Sequence, residues 1–320
     1  MLSKKNSKLL WIVFIALLAV WLIMKYTDRS NSTLKETLVA VDTAQIDRIE
    51  ISANDKPSLN LIRNGQRWKV KSKQGAYQAD IRKLRSLLTA LHSAKPISEV
   101  SNTENDWSKY QVNDSLGTHV KLYKGNQPVD ELILGSSAYV PAQNAARQPY
   151  GGRARGDMVS YIRNANDQNT YTVPGIWRMS FSLKTDDYRS RELFRIDKNR
   201  INKIRFRYPK GEKFELLKEG KQWKLNRKSP DSAKIVQYLN RLSYAYGSRF
   251  INDFDAKEKN PEYQIEVEGD QLSPVQLQVF VDTAGRKIFH ANTNEGYFDG
   301  SKGNLFKRYF VDRDWFFKHQ

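Results

Sequence analysis

The sequence predicts an α+β protein: a single N-terminal transmembrane helix, then two repeated modules of antiparallel strands with one amphipathic helix each. Three observations predict it. A strand–turn–strand segment, residues 59–70, recurs without a gap as residues 214–225. Each copy is followed by an apolar stripe at helical spacing. Residues 9–24 contain no charged or strongly polar side chain.

Both copies read as hairpins. Asn64-Gly65 is the dipeptide that best tolerates positive φ at both corners of a tight turn, and Glu219-Gly220 puts a permissive glycine at the same place. Trp68 and Trp223 follow three residues after Gly65 and Gly220, so each lays a large apolar ring on one face of its hairpin. A lone hairpin is barely stable in water, so each copy belongs to a larger unit.

The echo extends in both directions. Ile46 and Ile49 match Ile201 and Ile204 upstream. Downstream, Leu84, Leu88 and Leu91 match Ile235, Leu239 and Leu242, one apolar stripe of a helix in each copy. Asp80 and Asp231 stand at the N-cap positions. Tyr110-Gln111-Val112 is answered by Tyr263-Gln264-Ile265. These ordered matches read as one strand–hairpin–helix–hairpin module copied once.

The apolar run is slightly short for a span, at about 1.5 Å per residue against a core of roughly 30 Å. Lys8 and Lys25 can snorkel at its ends, and Trp11, Trp21 and Tyr26 lie where aromatic belts sit. A cleaved signal peptide shares the basic start and apolar middle, but no A-x-A-like site follows, so an uncleaved anchor over residues 9–26 is favoured. Lys4, Lys5 and Lys8 outweigh Lys25 and Arg29, which orients the N-terminus to the cytoplasm and puts the bulk of the chain outside the inner face, in a periplasm if the cell has two membranes.

Five segments follow. Residues 1–8 form the cytoplasmic N-terminus, 9–26 the anchor and 27–37 a polar tether, with modules at 38–196 and 197–320. Late hairpins are expected around Gly125-Asn126 and Ala284-Gly285. Residues 136–156, rich in glycine and arginine and including Arg153 and Arg155, read as a long loop of the first module.

With the repeat, the anchor and the motif order established, the chain resembles the bacterial family called domain of unknown function 4340. Trp68-Lys69-Val70, the leucines from Leu84 to Leu91, Tyr110-Gln111-Val112 and Leu132-Ile133-Leu134-Gly135 carry the likeness. Ser160-Tyr161-Ile162-Arg163, Tyr171 and the run from Tyr188 to Phe194 complete it. The family usually has a glycine where Gln111 stands. The resemblance implies a membrane-anchored protein encoded beside gliding-motility-type ABC transporters, and hence an accessory subunit. Its motifs are structural, and none marks a reaction.

The search for chemistry is mostly negative. His92, His119, His290 and His319 show no metal-ligand spacing, and the sequence has no cysteine, so thiol catalysis and cysteine metal sites are excluded. Neither a nucleophile elbow nor a phosphate-cradling glycine loop appears. Asp253, Asp255 and Glu258 lack the glycine and distal glutamate of a calcium loop and read as a solvated loop. No cofactor is expected.

Charge is the anomaly. The chain of 320 residues carries a net +18, concentrated between Arg189 and Lys210. In the strand from Ile201, Ile204 and Phe206 share one face, and Lys203, Arg205 and Arg207 the other. That ladder, with Arg153 and Arg155, is the candidate partner- or anion-binding surface. The expected function is non-enzymatic: a periplasmic scaffold or accessory subunit contacting the membrane subunits of an ABC-type transporter. The alternative is a binding module for an anionic envelope polymer or lipid headgroups; a hydrolase with an unrecognised carboxylate site ranks third. Nucleic acid ranks low, because the aromatic residues follow packing periods rather than stacking platforms.

Overall fold

The computed structural model describes residues 34–73, 75–141, 156–301 and 304–317, together with residue 18. The described strands are, in chain order, β1 (Arg48–Ala53), β2 (Leu59–Asn64), β3 (Arg67–Ser72), β4 (Gly75–Gln78), β5 (Ser98–Ser101), β6 (Thr118–Lys124), β7 (Gln127–Val140), β8 (Asp157–Asn164) and β9 (Thr170–Pro174). They continue as β10 (Glu192–Arg195), β11 (Ile201–Arg207), β12 (Lys213–Glu219), β13 (Gln222–Leu225), β14 (Tyr244–Tyr246), β15 (Tyr263–Gly269), β16 (Leu272–Val281), β17 (Lys287–Ala291) and β18 (Asn294–Asp299). The helices that matter below are α1 (Ile81–His92), α2 (Ser232–Leu242) and α3 (Leu305–Tyr309). The fold is therefore sheet-rich α+β.

Two compact units divide the chain: the described part of Met1–Ser58 with Leu87–Leu183, and Leu59–Ser86 with Lys184–Gln320. In the first, strands follow one another in the order β1-β6-β7-β8-β9-β5, each antiparallel to its neighbour. Ile49 and Ile51 of β1 are fully buried while their sequence neighbours are not, the period of two that a half-buried strand requires.

β7 runs for 14 residues and pairs with β8 as far as Val140 opposite Asp157. The loop expected over residues 136–156 thus begins as strand, because Ala138-Tyr139-Val140 suits a pleated ladder and finds β8 as its partner. A register shift separates Leu134 from Ser137, around Gly135.

In the second unit, β2, β3 and β4 pair antiparallel in sequence, and a larger sheet runs β13-β12-β11-β15-β16-β17-β18. Asn64 pairs with Arg67 and Glu219 with Gln222, so Gly65-Gln66 and Gly220-Lys221 are the corners. The turn expected at Asn64-Gly65 therefore lies one residue later. Only its first corner has positive φ, +60° at Gly65 and +61° at Gly220, as a II′ hairpin requires of its first central residue. The hairpins at Gly125 and Gly285 form as expected.

Both helices start where the aspartates place them. Asp80 Oδ1 accepts from Arg82 N at 2.9 Å, and Asp231 Oδ1 from Ala233 N at 2.7 Å. The buried stripe of α1 is Leu84, Leu87 and Leu91, with Leu88 at its edge, because a 3.6-residue period brings the 84/87/91 set inward. In α2 it is Ile235, Tyr238 and Leu242.

The α2 stripe packs in one core with Ile204, Phe206, Phe214, Ile265 and Phe316. Phe206 is a hub, its ring 4.3 Å from Phe214, 5.6 Å from Tyr238 and 6.0 Å from Phe316. Each such fully buried side chain contributes roughly 1.5–3 kcal/mol of apolar transfer free energy. Because that face of β11 is committed to the core, its alternate residues point the other way, and the candidate site lies there.

Among the described residues no helix is long and apolar enough to cross a membrane. The anchor expected over residues 9–26, with Trp11, Trp21 and Tyr26, lies outside the described residues except for Leu18, and so do Arg153 and Arg155.

Candidate functional site: a charge mosaic on the second sheet

Lys203, Arg205 and Arg207 share the outer face of β11, as the alternation requires, but the row is not one of free positive charge. β12 and β15 flank β11, and the register sets Arg205 directly opposite Glu215 on one side and Glu266 on the other. Its guanidinium lies 3.4 Å from Glu215, 2.8 Å from Glu266 and 2.6 Å from Glu268. Lys203 reaches Glu215 at 3.3 Å. Opposite charges facing each other across strands stabilise a sheet, and here three carboxylates answer two cations. The expected ladder becomes a mosaic of both signs.

The exception is the strand end. Arg207 faces Lys213 across β12, like charge against like. With Arg205, Glu215, Asn226 and Glu266 they line a shallow depression of about 290 Å3. Partial burial pushes the Glu266 carboxyl up, but hydrogen bonds from Arg205 and Gln276 outweigh it and hold the group below the ordinary glutamate range. Glu266 therefore acts as an ionised acceptor. What this face can do is match charges in register.

The other singled-out residues have structural surroundings. Trp68 is buried, with the Arg63 guanidinium 5.4 Å from its ring centroid, and Trp223 is half-buried against the second core. His119 Nδ1 lies 2.8 Å from Glu131. His290 Nδ1 donates to the Gly296 carbonyl at 3.1 Å, and its ring stacks on Tyr297. No group of three His, Cys, Asp or Glu side chains among the described residues could hold a metal ion. Asp253, Asp255 and Glu258 are all exposed.

Sequence reasoning missed how the motifs converge. In the first unit, Arg163 is buried, and its guanidinium donates to the carbonyls of Val112, Ala165 and Asp167 while lying 3.7 Å from the Trp107 ring centroid. Tyr110 and Tyr161 rings meet at 4.6 Å. A Cβ on Gly135 would come within 2.2 Å of the Tyr110 carbonyl oxygen. The strings around Gln111, Gly135 and Tyr161 thus form one knot. In the second unit, buried Arg189 lies between the rings of Tyr77 and Phe250, 3.8 Å from each, and donates to Asp186 and Asn252. The one signal available beforehand was an arginine beside aromatic residues in each string.

These features define a sheet-rich α+β protein whose shared motifs hold the fold together. The chain belongs to the family described as domain of unknown function (DUF4340), whose model matches residues 68–266. Neither the curated proteins nor the solved structures compared with it contain a match.

Proposed function

We propose that the protein is a non-enzymatic scaffold: a periplasmic accessory subunit of an ABC-type transport complex, held to the inner membrane by residues 9–26 and working by protein–protein contact. The observation that carries this reading is the charge mosaic. A surface on which Lys203 and Arg205 alternate with Glu215, Glu266 and Glu268 gives register to a protein partner carrying both signs, and little net attraction to a polyanion. The accessory role implied by the resemblance to a family often encoded beside ABC transporters points the same way.

We infer further that the protein is one module copied once. Supporting this, β1-β6-β7-β8-β9 and β11-β15-β16-β17-β18 are antiparallel runs of the same length and connection order, and the helices share aspartate caps. The test is co-purification of the full-length chain from native membranes at native expression. Wild type is expected to retain a transporter membrane subunit, and Arg205→Glu to lose it. Retrieval of no transporter component by wild type would overturn the proposal.

The second reading, binding of an anionic envelope polymer, is favoured only by the like-charge juxtaposition of Arg207 and Lys213 at the strand end. It predicts salt-sensitive binding that weakens when Lys203, Arg205 and Arg207 are reversed to Glu.

A further inference from the structure

A second depression in the same unit has the character that the sheet face lacks. It is about 570 Å3 in volume, wide and open, and Asn240, Arg241, Tyr244, Asn304, Lys307 and Arg308 line it. Three cations line it, and among the described residues no carboxylate does. Among the described residues Arg241, Lys307 and Arg308 take part in no ion pair, whereas Arg205 on the sheet meets three acids. A fourth cation, Lys198, stands at its edge, donating to Asn240 Oδ1 at 2.6 Å.

The cations sit on a fixed floor. The hydroxyl of Tyr238, fully buried in α2, donates to the Tyr309 carbonyl at 2.8 Å. The hydroxyl of Tyr309, buried in α3, donates to the Tyr244 carbonyl at 2.8 Å. Two inward-facing hydroxyls therefore pin α2, α3 and β14 together. Above them, aromatic rings rather than acids orient the guanidinia. Arg241 lies 4.8 Å from the Trp315 ring centroid, and Arg308 lies 5.1 Å from that of Tyr244. Cation–π contact fixes such a group without consuming its N–H donors, which stay available to a ligand.

We propose that this depression binds a phosphate group, carried either by a free small anion or by a lipid headgroup. Phosphate fits better than a single carboxylate, because its charge of about −1.5 to −2 and three acceptor oxygens suit two guanidinia and one ammonium. Tyr244, 42 % exposed, adds an apolar surface beside the charges for the carbon that bears the phosphate. The site shares no residue with the sheet face, so the proposal stands apart from the scaffold reading.

The test is isothermal titration of the full-length chain in a neutral detergent with inorganic phosphate, dihexanoyl phosphatidate and, as a zwitterionic control, dihexanoyl phosphatidylcholine. Wild type is expected to bind phosphate or phosphatidate. The double variant Lys307→Gln/Arg308→Gln should weaken that binding by at least about tenfold, given the strength of charge-assisted bonds to phosphate. Lys307→Gln alone, at an exposed position, should show part of the loss with an unchanged melting temperature, which separates ligand loss from misfolding. Lys257→Gln removes one charge elsewhere in the unit and should leave binding intact. Phosphatidate binding tighter than phosphate identifies a headgroup site, and equal binding identifies a free-anion site. The proposal is overturned if wild type binds neither, if phosphatidylcholine binds as well as phosphatidate, or if Lys257→Gln weakens binding as much as the double variant does.

Discussion

Arg178 donates a hydrogen bond to the side-chain oxygen of Gln111 at 2.9 Å, and Gln111 has a φ of +59°. The same guanidinium also donates to the carbonyls of Leu134 and Leu116. Gln111 ends a one-turn helix in the left-handed conformation, where a glycine would sit without strain, yet its side chain has become a ligand of the arginine. Relief of the left-handed cost is worth about 1–2 kcal/mol. Losing a hydrogen bond to a charged group costs about 1.5–3 kcal/mol, and glycine adds roughly 0.5–1 kcal/mol of unfolded-state entropy. Gln111→Gly is therefore expected to destabilise the protein by about 1 kcal/mol, measured by urea denaturation. A stabilised variant would mean that the Arg178 contact contributes nothing.

Gly135 is required for space rather than for φ. A methyl group there would press on the Tyr110 carbonyl oxygen, the Val112 side chain and the Tyr161 carbonyl oxygen at once, and the two carbonyls are backbone. Gly135→Ala should cost roughly 1–3 kcal/mol, the range of overpacked sites. The urea midpoint should fall with an unchanged slope. An unaltered midpoint would show that β7 can move away from Tyr110.

How much of this was legible depended on the range of each interaction. Hairpins at Gly65, Gly125, Gly220 and Gly285 were readable because a turn is set by adjacent residues, though the corner at Gly65 lay one residue later than expected. The helices were readable from Asp80, Asp231 and the apolar stripes. Alternation placed Lys203, Arg205 and Arg207 on one face correctly. Their neutralisation was hidden, because Glu215 is brought by a hairpin and Glu266 by a strand 61 residues away, and only the register puts both beside Arg205. The cations Arg241, Lys307 and Arg308 were hidden for the same reason: their meeting is a property of packing between α2 and α3.

The two aspartate caps give a paired test. Asp80→Ala and Asp231→Ala each remove a side-chain acceptor for first-turn N–H groups, and each should cost about 1 kcal/mol. Asn at either position should recover most of it. Measured by thermal unfolding, an alanine variant with wild-type stability at either site would exclude a capping role there.

The ion network makes an acid prediction. Glu266, held below its ordinary value of 4.5, contributes stability that is complete above pH 4.5 and is lost as pH falls through its depressed folded value. Arg205→Gln removes the strongest of the opposing influences, so the acid limb of a stability–pH curve should flatten below pH 4.5. An unchanged limb would show that Arg205 and Glu266 are not coupled in solution.

His290 makes a prediction in a different window. Burial pushes its imidazole below the ordinary 6.5, and the hydrogen bond to the Gly296 carbonyl opposes this without cancelling it. Since that carbonyl can only accept, Nδ1 carries the proton in the neutral ring and no second proton is needed. The unfolded chain takes up a proton near pH 6.5, whereas the folded chain resists until a lower pH, so acidification favours unfolding across that interval. Stability should be level above pH 6.5 and decline below it, as pH falls through the lowered folded value of the imidazole. His290→Gln does not titrate, so the decline should vanish while the acid limb from Glu266 persists. A slope that survives in His290→Gln would assign the decline to another group and show that the ring stacked on Tyr297 does not control it.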